Sequence, residues 1–173
     1  RALAREAAEQ SLVLLRNHAD TLPLRRSAAR RVAVIGSLAD EPRNQLGNYY
    51  GEPSAISSVL DGVRTHAATT DYSDGTDVAA AAELAGSAAI DAVIVVAGLR
   101  SEAGAGRTQV EEGGDQSSRP MDEAEGLDRP SLLLPADQLD LVRAVAASAS
   151  RAVKPRAVVL VLICGGSVDV GLA

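Results

Sequence analysis

The chain has 173 residues, the usual size of one domain, and its 46 % hydrophobic residues supply a buried core and exclude disorder from low hydrophobicity. Seventeen basic against 23 acidic residues leave a net charge of −6, which argues against nucleic acid and acidic membrane surfaces as partners. One cysteine and two histidines exclude an intrachain disulfide framework and a Cys/His metal site.

Three tyrosines are the only aromatic residues, so the core is expected to consist of Ala, Val, Leu and Ile, side chains that suit helices packed on a parallel sheet. Leu3, Ala7, Ala8, Leu12 and Leu15 recur at helical spacing and predict an amphipathic helix over 2–16. Residues 21–24 read as extended around Pro23, followed by a basic turn over 25–31. The run Val-Ala-Val-Ile-Gly at 32–36 predicts a buried parallel strand. The Gly-, Pro- and Asn-rich stretch 37–58 reads as a long structured loop, a kind that often carries function.

A helix is expected over 57–66 and a weak strand over 68–72. Asp77 is placed as the cap of an alanine-rich helix over 78–86. Residues 91–98 (Asp-Ala-Val-Ile-Val-Val-Ala-Gly) are apolar on both faces, which predicts a central strand with helices on each side. A polar stretch over 99–131 reads as a solvent-exposed loop. Pro135 and Asp137 then open a helix over 138–148, with Leu139, Val142, Val145 and Ala146 on one face. A last strand is expected over 157–165. Alternating helices and strands give an α/β layered sandwich with a mainly parallel sheet between helices, as a single domain over 1–173. The chain opens in helical pattern without Met and reads as a piece of a longer protein, so its compartment is left undecided.

In such a sheet, ligands bind beyond the carboxyl ends of the strands. Three strands end in glycine, at Gly36, Gly98 and Gly165, and that edge is the expected functional edge. The glycine pattern of a dinucleotide fingerprint, a phosphate loop and a Gly-x-Ser-x-Gly nucleophile elbow are all missing. His18 and His66 read as surface residues, and Cys164 as an inert core residue. Carboxylates remain: Glu102, Glu111, Glu112, Asp115, Asp122, Glu123, Glu125 and Asp128 crowd one loop, where neighbouring acids can raise one another's pKa and supply a proton donor. Composition does not choose among them, and most would serve only to solvate the loop.

Several strings stand in order along the chain: Ala-Arg-Glu-Ala-Ala-Glu-Gln-Ser-Leu-Val-Leu-Leu-Arg-Asn at 4–17, Leu-Pro-Leu at 22–24, Val-Ala-Val-Ile-Gly at 32–36 and Leu-Gly-Asn-Tyr-Tyr-Gly at 46–51. Glu-Gly-Leu-Asp-Arg at 125–129, Leu-Leu-Leu-Pro at 132–135 and Gly-Gly-Ser-Val-Asp at 165–169 follow. Together they resemble the C-terminal α/β-sandwich domain of family-three glycoside hydrolases. The resemblance implies a retaining, exo-acting β-glucosidase or β-xylosidase in which an N-terminal (β/α)8 barrel supplies an aspartate nucleophile and this domain supplies the acid/base glutamate. It needs no metal or organic cofactor, and its substrate is a β-linked oligosaccharide or glycoside. On the same resemblance the glutamate maps onto Glu125, with Glu123 as competitor. Glu112, in a second Glu-Gly-x-Asp string, is a third candidate. Retention requires two carboxyl groups about 5–5.5 Å apart, so the domain alone is expected to be inactive.

Asp128 and Arg129 are expected to brace the loop beside substrate. Tyr49 and Tyr50 are expected either to stack on a sugar or to fill a domain interface, and their Gly-Asn-Tyr-x-Gly-x-Pro setting looks like the xylosidase branch. The rival of a different class is a noncatalytic carbohydrate-binding or scaffold module. A piece separated from its barrel should also carry an exposed apolar patch.

Overall fold

The computed structural model describes residues 2–46, 50–101, 122–123 and 129–169. Within them the apolar runs become parallel strands: β1 (Arg31–Ile35), β3 (Ala92–Gly98) and β4 (Ala157–Ile163). The more polar β2 (Thr69–Ser73) joins them at one edge. The order is β2-β1-β3-β4, every pair parallel. Residues 31–35 pair with 69–73 on one side, and 32–35 pair with 92–95 on the other.

Strand alternation sorts the core into two layers. Ala33, Ile35, Val93 and Val95 face α3 (Val78–Gly86) and α4 (Ala136–Arg151), where Ala81, Ala85, Val142 and Val145 cover them. Val32, Val34, Ala92 and Val96 face α2 (Val59–His66) and a 3-10 turn over Ser37–Asp40, where Leu60, Leu38 and Ala39 are buried. The layered α/β sandwich with a parallel sheet is therefore the observed architecture, and β3 is buried between β1 and β4 as its apolar faces predict. Among the described residues no helix is long and apolar enough to cross a membrane.

The helices begin where local chemistry allows. Ser58 and Asp61 form a reciprocal capping box at α2, and Asp77 accepts the Ala80 amide at 3.0 Å to cap α3. Gly36 and Gly98 close β1 and β3 at φ values of +117° and +149°. A Cβ on the first would collide with the Val96 carbonyl of β3, and one on the second with the Ile163 carbonyl of β4. These two strand ends are glycine because the neighbouring backbone passes so close.

Two expectations are corrected. The N-terminal helix, α1 (Ala2–Ser11), stops well short of residue 16, and none of its residues is buried. Leu12, Val13, Leu14 and Leu15 lie beyond it in irregular, exposed backbone. Four consecutive apolar residues have no single face, so the helical spacing of Leu12 and Leu15 did not fix their conformation. The last strand ends at Ile163 rather than 165, which leaves Cys164 exposed in the turn that follows instead of in the core.

Candidate functional site at the carboxyl edge of the sheet

The backbone leaving β3 is held by side-chain amides that imitate a neighbouring strand. Gln138, buried in the first turn of α4, accepts the Gly98 amide at 2.8 Å and donates to the Gly98 carbonyl at 2.9 Å. Asn44, buried in a 3-10 turn over Pro42–Gln45, donates to the Leu99 carbonyl at 3.0 Å and accepts the Ser101 amide at 2.9 Å. Buried backbone groups need such partners where the ladder ends. Neither amide stood out in the sequence, because an Asn or Gln gives no local sign of a partner 40 or more residues away.

Arg100 comes next and reaches across to the returning chain. Its guanidinium meets Asp122 at 3.2 Å and Asp137 at 3.4 Å, while its amide donates to Asp122 at 2.8 Å. The Asp122 and Glu123 amides in turn donate to the Arg100 carbonyl. Arg100 and Asp122 are both largely buried, so this is a closed, charge-assisted join rather than a loose surface pair. It borders a cavity of about 610 Å3 lined by Gly36, Asp74, Thr76, Arg100 and Asp122 among others. The cavity lies between the ends of β1 and β3, where the strand order reverses, the usual crevice of an open parallel sheet.

Glu123 reaches the exit of β4. Its two carboxylate oxygens accept the amides of Gly165 at 2.8 Å and Gly166 at 3.1 Å. Arg129 donates to the Ser167 carbonyl. The chain then runs beside residues 132–134: the Asp169 amide donates to the Leu132 carbonyl at 2.7 Å, and the Leu134 amide to the Asp169 carbonyl at 3.3 Å. Cys164 sits in the same turn. Burial and then the Glu123 charge push its thiol pKa up, while Arg129 opposes them.

Of the residues singled out from sequence, Glu123 and Arg129 are thus brought to one turn. Glu125, Asp128, Tyr49 and Glu112 lie outside the described residues. Tyr50 is half-buried in the loop that carries Asn44. Its hydroxyl accepts from Arg43 at 2.8 Å, and the guanidinium also pairs with Glu52 at 3.2 Å and lies 5.3 Å from the ring centre. His18 and His66 are exposed, the latter 3.2 Å from Arg26. Among the described residues no group of three or more His, Cys, Asp or Glu could hold a metal ion.

Comparison with known proteins converges on one family. The chain is 41 % identical over 178 residues to beta-D-xylosidase 1 of Arabidopsis thaliana, a match that covers 99 % of the chain and 20 % of the relative. A solved exo-beta-xylosidase in complex with a xylobiose aziridine probe superposes with a TM-score of 0.71 at 27 % identity, covering 97 % of this chain and 19 % of that one. A beta-glucosidase from Listeria innocua in complex with glucose gives 0.64 at 26 % identity, over 95 % and 20 %. The chain therefore spans about a fifth of the length of the relatives it matches. The family model for the glycosyl hydrolase family 3 C-terminal domain matches residues 12–172, and the chain belongs to that family.

Proposed function

We propose that this chain is the acid/base-bearing domain of a retaining, exo-acting β-glycosidase that removes terminal nonreducing β-D-xylosyl or β-D-glucosyl residues. It works beside an N-terminal (β/α)8 barrel that supplies the nucleophile. The observation that carries the reading is the join between the exits of β3 and β4. Residues 122–123 and 129–134 are tied to Arg100 and to 165–169, at the edge where α/β folds place their chemistry. The five residues between the two tied pieces include Glu125 and Asp128.

Glu125 is assigned the proton transfer. In the first step the glutamic acid gives its proton to the glycosidic oxygen as the bond from that oxygen to the anomeric carbon breaks. The nucleophile's carboxylate meanwhile bonds to the same carbon. In the second step the Glu125 carboxylate takes a proton from water, whose oxygen displaces the nucleophile and restores both carboxyl groups. Tyr49, Tyr50, Asp128 and Arg129 are assigned to substrate or to the domain interface around it. Xylosides are placed first because of the relatives' names.

The test is kinetic, on the domain joined to its barrel, with aryl β-xylosides and β-glucosides as substrates. Glu125→Gln should lose about 10²–10⁴-fold on substrates with poor leaving groups, the span of general acid catalysis, and azide should restore turnover on activated ones. Wild-type rates in Glu125→Gln would remove the assignment, and an inactive wild type would favour a noncatalytic module.

A further inference from the structure

Glu123 and Arg129 flank a five-residue piece of chain that includes Glu125, and between them they reach three consecutive residues beyond β4. Glu123 takes the amides of Gly165 and Gly166, and Arg129 takes the carbonyl of Ser167. From these contacts we infer that the 165–167 turn is a positioning bracket for the acid/base, with Glu123 as its principal clamp and not the proton donor. The inference rests on the reading of Glu125 as that donor.

Three observations support it. Each Glu123 oxygen already accepts a backbone amide, so the carboxylate is engaged with fixed donors 42 and 43 residues away. Gly165 leaves room for the approach: a Cβ there would come within 2.9 Å of Oε1, whereas one at Gly166 would meet Oε2 at an ordinary contact distance of 3.5 Å. The clamp also has a fixed base, since the backbone amides of Asp122 and Glu123 are bonded to the Arg100 carbonyl at the exit of β3. A retaining site fails when its proton donor is displaced by about an ångström, at a cost near 10²-fold. A device that registers that segment against two strands is what such chemistry needs.

Two substitutions attack the clamp from opposite sides. Glu123→Gln keeps the shape but sets an amide NH2 against a backbone N–H. Gly165→Ala leaves Glu123 intact and displaces the end of its flexible side chain, which the fold should tolerate. Both are made in the domain joined to its barrel, beside Glu125→Gln.

Each is expected to lower kcat on poor leaving groups about 10- to 100-fold, with KM within about twofold, and to move the alkaline limb of the kcat/KM profile, which reports the proton donor. Azide should rescue Glu125→Gln but neither clamp variant. The double variant should be no worse than the weaker single, the mark of one shared interaction.

Wild-type kcat and an unmoved limb in both variants, with Glu125→Gln impaired, would overturn the bracket and leave the acid/base reading standing. Wild-type activity in Glu125→Gln would remove that reading and the bracket with it. Azide rescue of Glu123→Gln would make Glu123 the proton donor and overturn its role as clamp.

Discussion

Asp91 sits just before β3, and one of its oxygens receives the backbone amides of both Arg30 and Arg31, at 3.0 and 2.9 Å. The Arg31 side chain pairs with Asp71 of β2 through two bonds of 2.6 and 2.9 Å. The Arg31 amide therefore holds the Asp91 carboxyl below its ordinary pKa of 3.8, and the Arg31 guanidinium does the same for Asp71. In the unfolded chain both titrate near the ordinary value. The folded state binds these protons less readily, so the stability they contribute is whole at neutral pH. It drains as pH falls through about 4 toward their folded values. Asp91→Asn should flatten the acid side of the stability profile, measured as urea midpoints at pH 7 and pH 3. An unchanged difference between the two midpoints would show that the bond carries no pH-dependent stability.

Helix α2 begins at a single residue with two functions. The Ser58 hydroxyl accepts the Asp61 amide at 3.0 Å, and it lies 3.2 Å from Asp40 in the turn after β1. Ser58 is itself buried, so Ser58→Ala removes a cap and also strips Asp40 of a partner. The cap alone is worth about 1 kcal/mol, or a fall in Tm of about 2–4 °C at this size, with circular dichroism as the readout. A Tm equal to wild type would assign the capping to other groups. Elements like this one were legible in the sequence where their causes are local: Asp77 before α3, the apolar runs of β1, β3 and β4, the glycines that close the strands. α1 was overextended because its apolar residues are exposed, and a spacing rule presumes a neighbour that buries the stripe. Cys164 was misplaced because an apolar run does not announce its last paired residue.

At the scale of the whole molecule, several large apolar side chains near the N-terminus stay in water. Leu3, Leu12, Leu14 and Leu15 are each more than 60 % exposed, and large exposed apolar areas mark places where partners bind. The chain on its own should self-associate as its concentration rises from micromolar to near-millimolar, and Leu12→Lys with Leu15→Lys should suppress this in sedimentation velocity. A single unchanging boundary for the wild type would count against an interface there. The site was legible only in part. The glycines after β1 and β3 marked the carboxyl edge of the sheet in the sequence, whereas Arg100 with Asp122, Gln138 with Gly98 and Glu123 with Gly165 are 22, 40 and 42 residues apart, and only the fold makes them neighbours. Gly98, finally, gives way to the carbonyl of Ile163, two residues before the turn that Glu123 grips. The sheet is thus the gauge from which the site takes its spacing. Strand separation at that one crossing is a tolerance shared by the core and by the turn that Glu123 grips, so a bulkier residue in place of Gly98 would displace both.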